Sequence, residues 1–133
     1  MGTMNNHPIV YHTGISGFQL AVYDWVHKCV GPEYAKNKEE RCLRALEENV
    51  ELVQALDLPY EKALAILNYV YSRPKGDPQQ ECGGSFITLA ALASTMGIRL
   101  DDEGNKELRR CWENIEKIRS KTMAKDLRGE GLK

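Results

Sequence analysis

The stretch from Arg41 to Leu56, RCLRALEENVELVQAL, constrains the fold most strongly because its apolar and charged residues recur with helical spacing. At about 100° per residue, its apolar side chains fill one wide arc of a helix. Glu47, Glu48 and Glu51 fall on the opposite side, with Arg44 among them. The pattern therefore predicts a long amphipathic helix. Its apolar arc comprises Leu43, Leu46, Val50, Val53 and Leu56 together with Cys42 and Ala45.

The three glutamates of this helix are crowded. Side chains three or four residues apart are neighbours on a helix, so Glu51 lies next to both Glu47 and Glu48. Like charges at this spacing repel and cost a few tenths of a kcal/mol. A bound divalent cation would offset that cost, since Mg²⁺ prefers carboxylate oxygens. The alternative is a solvated acidic face in which Arg44 pairs with Glu48.

Composition places the chain among ordinary soluble proteins. Its 133 residues suit one domain, 1–133, with 42% hydrophobic and 28% charged residues. The formal net charge of -1 implies no bulk attraction to nucleic acid or to a membrane surface. No apolar run approaches the roughly 18 residues of a membrane span, and no secretion signal is visible. We expect a cytoplasmic protein with no nucleic-acid or membrane partner.

The cysteines favour neither a zinc site nor a redox motif. They are widely scattered, and no CxxC pair occurs. Reduced, mostly buried thiols fit this pattern. The four are Cys29, Cys42, Cys82 and Cys111.

The whole chain predicts an all-α fold of about five helices after an irregular start, Met1 to Thr13. Its His7 and His12 form no ligand pattern. Gly31-Pro32 ends the first helix, Arg73-Pro74 follows the third, and Gly97 stops the fourth. Besides the helix at Arg41 to Leu56, the predicted helices are Ile15 to Cys29, Pro59 to about Ser72, Pro78 to Met96 and, after a turn at Asp101 to Asn105, Lys106 to Met123.

The fourth helix is apolar around almost its whole circumference, which predicts a central, buried position. Glu81 is its one carboxylate. A buried acid needs a partner or a metal, so Glu81 is a candidate ligand. Alternatively, it lies in an exposed first turn, where the helix dipole favours an acid.

Two further features surround Glu81. Asp77, Pro78 and Gln80 have the spacing of an N-cap with proline at the first helical position. Gly83-Gly84 costs about 1 kcal/mol per glycine relative to alanine, which suggests close approach by another helix or by a ligand.

Several basic and aromatic residues are candidates for nucleotide binding. Arg73 and Lys75 lie in one loop, while Arg109, Lys117 and Lys121 lie on the predicted fifth helix. They could face a polyphosphate, although charge runs are commonly solvated faces. Phe18, Gln19 and Trp25 of the first helix offer a stacking face and an amide; the alternative is core packing.

The runs ERCLRALEENVELVQAL and RPKGDPQQECGGSFITLAALA resemble the MazG-like nucleoside triphosphate pyrophosphohydrolases, in particular a short phage-type branch. The resemblance extends from about Phe18 to Lys125. It implies a helical bundle that assembles as a homodimer or homotetramer, holds Mg²⁺ or Mn²⁺, and splits a nucleoside triphosphate into the monophosphate and pyrophosphate.

Carried over residue by residue, the family's ExxE motif falls on Glu48 and Glu51, with Glu47 as a preceding acid. Its second motif, ExxD, falls on Glu81 and Gly84, so the aspartate is missing here and the number of metals is open. The resemblance implies Glu48, Glu51 and Glu81 as metal ligands and Glu47 or Glu48 as the general base. Arg73, Lys75, Lys117 and Lys121 would neutralise the leaving pyrophosphate, and Asp77 is a possible substitute ligand besides its N-cap role.

MazZ-like members of this branch act on guanine nucleotides, so the resemblance also implies a preference for dGTP and GTP. Two other functions are alternatives to hydrolysis. A non-catalytic module that binds a nucleotide or a partner is favoured only by Gly84. A di-iron carboxylate bundle requires Glu-x-x-His pairs, and none occurs in the sequence.

Overall fold

The computed structural model describes residues 17–127, which contain six α-helices and no strand. The predicted all-α class is confirmed for this part of the chain. Contacts divide the protein into two compact units, the first with residues 17–42 and 104–127, the second Leu43–Glu103. The helices are α1 (Gly17–Lys36), α2 (Lys38–Ala55), α3 (Tyr60–Tyr71), α4 (Pro78–Thr95), α5 (Leu100–Glu113) and α6 (Ile115–Leu127). The irregular start and the absence of a role for His7 and His12 concern residues outside the described range.

The C-terminal helices differ from the prediction. The segment Asp101 to Asn105 is helical, so the turn predicted there is wrong. Its acids occupy the first turn of α5, where the helix dipole favours negative charge. The predicted fifth helix is instead interrupted at Asn114, whose Nδ2 donates to the Arg110 carbonyl at 2.8 Å.

In the first unit, α1 is interrupted at Gly31, where the sequence predicts the end of the first helix, and a further helical segment continues to Lys36. Gly31 has φ 85° and ψ 162°, a backbone conformation that glycine adopts most readily, and Pro32 follows it. The break leaves carbonyls without helical partners. Arg119 of α6 satisfies two of them, because its guanidinium donates to the Cys29 carbonyl at 2.6 Å and the Lys28 carbonyl at 3.0 Å. This contact joins α1 to α6.

The start of α2 contains a buried acid that is not among the predicted site residues. Asn37 caps the helix, because its Oδ1 accepts a hydrogen bond from the Glu40 amide at 2.8 Å. Glu40 itself is only 1% exposed. Its Oε2 lies 3.7 Å from Nη2 of Arg41, so the buried carboxylate has a cation beside it.

In the second unit, α2 and α4 end in the same way. Asp57 and Gly97 follow the two helices with φ 65° and φ 69°. The amide of Leu58 donates to the Val53 carbonyl at 3.0 Å, and that of Ile98 donates to the Ala93 carbonyl at 2.9 Å. These are Schellman caps, which favour glycine at the left-handed position. The predicted stop of α4 at Gly97 is confirmed.

Helix α4 is not buried in the single chain. Ala93 is buried, but Phe86 is 66% and Ile87 67% exposed. The prediction of a central, buried helix is therefore wrong for one copy of the chain. Apolar residues around a helix require a covering surface, and the chain's own described residues do not supply it. Helix α3 is similar, with these exposed side chains: Tyr60, Leu64, Ile66, Leu67, Tyr69, Val70 and Tyr71.

The four cysteines are free thiols in this structure, and the reduced compartment stays a prediction. Cys29 is buried and Cys111 is half-buried. Cys42 and Cys82 are exposed, so the prediction of mostly buried thiols is wrong for these two. Their helices, α2 and α4, also carry exposed apolar side chains, among them Leu46 at 54% and Phe86 at 66%.

Candidate functional site

The candidate acids of α2 lie on the part of that helix that belongs to the second unit. Glu48 and Glu51 are exposed and Glu47 is half-buried. Arg44 Nη1 lies 2.8 Å from Oε1 of Glu47, which makes an ion pair within one helical turn. Glu48 and Glu51, three residues apart, present two neighbouring carboxylates on the surface of α2.

The third candidate ligand, Glu81, lies in the first turn of α4. Asp77 caps this helix, because its Oδ2 accepts from the Gln80 amide at 3.0 Å, and Pro78 occupies the first position. The N-cap interpretation of Asp77 is confirmed. Glu81 is exposed in the single chain, so its position agrees with the exposed first turn. Its side chain points back over the preceding loop and contacts Gly76.

The donor chemistry of these residues suits Mg²⁺ or Mn²⁺, which bind carboxylate oxygens. Within residues 17–127, however, no group of three or more His, Cys, Asp or Glu side chains is placed to hold a metal ion. In one copy of the chain, Glu48 and Glu51 are neighbours on α2, and the described side chains do not complete a three-ligand group with Glu81. The metal site stays a prediction.

The double glycine lies on an open strip of α4. A β-carbon at Gly83 or Gly84 would meet no described atom within 4 Å. Thr88, one turn later, donates its hydroxyl to the Gly84 carbonyl at 3.0 Å and lies 3.1 Å from the Ser85 carbonyl. No contact within the described chain requires glycine at these positions, so their cost in helix stability is unexplained by the fold of one copy.

The two predicted cations of the second unit lie in the loop between α3 and α4. The guanidinium carbon of Arg73 lies 4.4 Å from the centroid of the Tyr69 ring, within the range of a cation–π interaction. The Ser72 hydroxyl donates to the Tyr69 carbonyl at 2.7 Å, which orders the start of the loop. Lys75 is exposed. Tyr69 is not among the predicted site residues, although an aromatic residue four positions before an arginine is a recognisable signal.

The predicted base-binding residues belong to α1, in the first unit. Phe18 and Gln19 are exposed, while Trp25 is half-buried. A β-carbon at Gly104 would lie 3.2 Å from Cζ of Phe18, so this ring packs against α5. The indole Nε1 of Trp25 is enclosed and donates to no described residue. Phe18 and Trp25, two helical turns apart, therefore have different surroundings.

The predicted phosphate-binding lysines are also in the first unit. Lys117 and Lys121 are exposed and one turn apart on α6, and Arg109 is exposed on α5. Arg119 was not singled out from the sequence, yet it makes the tertiary contacts of this helix. It also lies 2.6 Å from Oε1 of Glu116. The sequence indicates a need for such a residue only indirectly. The Gly31-Pro32 break leaves carbonyls of α1 that require hydrogen-bond donors, and Arg119 supplies them.

Burial, charge and hydrogen bonding shift the pKa values of several side chains of the first unit. Burial raises the pKa of the Cys29 thiol, with Arg119 and Arg41 opposing the shift. Burial likewise raises the pKa of Cys111, reinforced by the charge of Glu107. A hydrogen bond from Arg110 lowers the pKa of Glu107. None of these groups is a predicted site residue.

Comparison with protein-family models, with curated proteins and with solved structures finds no match to this chain. The MazG-like resemblance therefore depends on the motif residues alone. No single helix among residues 17–127 is long and apolar enough to cross a membrane, although α4 and α5 together meet the length and composition across a bend of 103°.

Proposed function

We propose that the protein is a metal-dependent nucleotide pyrophosphohydrolase that converts a nucleoside triphosphate or deoxynucleoside triphosphate to the monophosphate and pyrophosphate. The observation that carries the proposal is the pair of exposed carboxylates of Glu48 and Glu51 on α2. The resemblance to the ExxE motif implies that this pair binds a divalent metal ion. Glu81 would be the third ligand, with Mg²⁺ or Mn²⁺ as the cofactor.

We further propose that the active form is a homodimer or homotetramer. In one copy, apolar side chains of α3 and α4 are exposed to an extent that isolated soluble chains rarely tolerate. A second copy supplies the same apolar surface, and symmetric association buries both at once. We expect the substrate pocket near that interface, where copies would complete the ligand set that one chain leaves incomplete.

Each residue then has a defined role. Glu48, Glu51 and Glu81 would hold the cation, which would supply Lewis-acid chemistry to the triphosphate when bound. Glu47 or Glu48 would accept the proton of the attacking water. Arg73, Lys75, Lys117 and Lys121 are the cations available to neutralise the leaving pyrophosphate. Stacking on Tyr69 restricts Arg73 to fewer orientations and so reduces the entropy lost when it binds an anion.

For the substrate, we propose a preference for dGTP and GTP. The amide of Gln19 is exposed and able to pair with a base edge, and the exposed ring of Phe18 offers a stacking surface. A site that hydrogen-bonds one base edge discriminates against bases that lack it more strongly than an apolar slot does. Trp25 of the same helix is half-buried and its Nε1 is enclosed, so Phe18 and Gln19 are the accessible residues that support this proposal.

A second candidate function is a non-catalytic helical module that binds a nucleotide or a protein partner. Gly84 stands where the related motif carries an aspartate, and the described chain gathers no three-ligand group. Release of pyrophosphate discriminates between the two functions, because the binding module would bind a nucleotide without producing pyrophosphate.

The decisive experiment incubates the protein with each of the eight common triphosphates and Mg²⁺ or Mn²⁺, and measures pyrophosphate. Turnover should be abolished by EDTA and should fall at least 100-fold in Glu51→Gln, which removes a charge but little volume. Glu113→Gln, the same change at an exposed residue of α5, is the matched control and should retain activity. Unchanged turnover in Glu51→Gln would refute the ligand assignment. A clear preference for dUTP or dCTP would refute the guanine proposal and leave the reaction class intact.

A further inference from the structure

In the first unit, the start of α1 places an aromatic ring against a glycine of α5. A β-carbon at Gly104 would have Cζ, Cε1 and Cε2 of Phe18 as its three nearest atoms, at 3.2, 3.5 and 3.7 Å. These three atoms form the tip of the ring, so Phe18 contacts α5 by its tip. The residue is 48% exposed, which leaves part of the ring surface open for stacking.

Backbone conformation does not require glycine at position 104. The described glycines with positive φ are Gly17, Gly31 and Gly97, and Gly104 is not among them. Gly104 lies inside α5, where glycine is less favourable than alanine. Positions that break a local rule of this kind are expected at functional sites. The described feature that accompanies this glycine is the space it leaves for the Phe18 ring.

An alanine at position 104 would fit the helix but press on the ring. Its β-carbon would be slightly too close to Cζ, so the ring would move by a few tenths of an ångström. Phe18 lies in the first turn of α1 and is half exposed, so this movement costs little stability. The ring would no longer keep the orientation that the glycine permits. A ring that must be ordered on binding contributes less to affinity.

We infer that Gly104 is a positioning residue for Phe18: it leaves room for the ring in the orientation in which a nucleobase stacks on it. The inference rests on the proposed nucleotide-binding function, but not on the choice of guanine, because every base has a face that stacks on an aromatic ring. Loss of such a ring typically weakens binding by about fivefold or more. We expect that loss in Phe18→Leu, and a loss of about threefold in Gly104→Ala, where the ring is displaced but present.

The test titrates the protein with dGMP and, separately, with dTMP in the absence of metal. Stacking on an aromatic ring shifts the ¹H NMR signals of the base, H8 of guanine and H6 of thymine, upfield through the ring current. The wild-type protein should produce this shift, and Phe18→Leu should remove most of it. Gly104→Ala should reduce the shift and weaken binding of both probes about threefold. Its thermal midpoint should nevertheless rise by about 2–4 °C, because alanine favours the helix.

A double variant separates a role through the ring from a general effect on the fold. In the Phe18→Leu background, Gly104→Ala should cause no further loss of affinity, because two residues that act through one ring are not additive. The matched control is Ser120→Ala, which improves helix propensity at an exposed position of α6 in the same unit. It should leave the base signals and both affinities unchanged.

The outcomes distinguish this inference from the function on which it rests. A lower thermal midpoint in Gly104→Ala would show that the glycine is required for packing and would overturn the inference. Wild-type affinity and an unreduced upfield shift in Gly104→Ala would overturn it as well. Pyrophosphate release by a wild-type protein that shifts neither base signal would also overturn it, with the reaction class intact. Wild-type protein that binds neither probe and releases no pyrophosphate would overturn the proposed function, and the positioning role would fail with it.

Discussion

The exposed apolar surface of α4 makes a quantitative prediction about assembly. Ile87 is 67% exposed in one copy of the chain. Complete burial of an isoleucine side chain contributes about 1.5–3 kcal/mol, so covering this one would contribute about 1–2 kcal/mol per copy. A symmetric dimer covers Ile87 of both copies, so the two side chains together contribute about 2–4 kcal/mol to the free energy of dimerisation. Since about 1.4 kcal/mol corresponds to tenfold in affinity, losing this contact should weaken dimerisation about 30- to 700-fold.

Ile87→Glu is the strongest test because it also places a charge in the covered surface. Sedimentation velocity should be measured from about 0.1 to 100 µM, a range that extends below and above a micromolar Kd. We expect dimers or tetramers of the wild-type protein and mainly monomers of Ile87→Glu. Ile87→Ala removes apolar area without adding charge and should give an intermediate Kd. A wild-type mass of 15.1 kDa throughout this range would refute the reasoning, as would undiminished association of Ile87→Glu.

Three further predictions follow from individual contacts. Asp57→Gly should raise the free energy of unfolding by about 0.5–1 kcal/mol in urea titrations, because Asp57 has φ 65° at a cap that favours glycine; a loss of stability would contradict this. Hydrogen bonding from Arg110 lowers the pKa of Glu107. Its native state therefore binds fewer protons than the unfolded state, so the stability it contributes is present above its unfolded pKa and is lost as pH falls through the lower folded pKa. Glu107→Gln should reduce the change of the urea midpoint with pH between about pH 5 and pH 3. An unchanged pH dependence of the midpoint would count against the hydrogen bond. Tyr69→Leu should lower kcat/KM about threefold through loss of the exposed cation–π contact with Arg73, while Tyr69→Phe retains it; equal loss in both variants would exclude the ring as the cause.

The proposed assembly also offers an explanation for the double glycine. Gly83 and Gly84 touch no described atom, yet each costs helix stability relative to alanine. The missing side chains at Gly83 and Gly84 would allow a neighbouring copy to pack closely against α4. Loss of association in Gly84→Ala, measured in the same sedimentation series, would support this explanation.

The sequence alone determined the local structure of the chain. The break at Gly31-Pro32, the cap formed by Asp77 with Pro78, and the end of α4 at Gly97 were all predicted correctly. Each depends on residues within a few positions of one another, because caps and breaks satisfy backbone groups of adjacent residues. The amphipathic pattern of Arg41 to Leu56 also predicted a long helix there, and α2 spans Lys38–Ala55.

Only the tertiary structure decided which surfaces are covered and by what. It placed Glu40 in the interior, joined Arg119 to the broken end of α1, and left Phe86 and Ile87 exposed on a helix predicted to be buried. The physical reason is that a hydrophobic pattern records which side chains need covering but not which partner covers them. The same limit applies to the candidate site, because spacing along α2 brings Glu48 beside Glu51, whereas the position of Glu81 relative to them depends on packing between helices or copies.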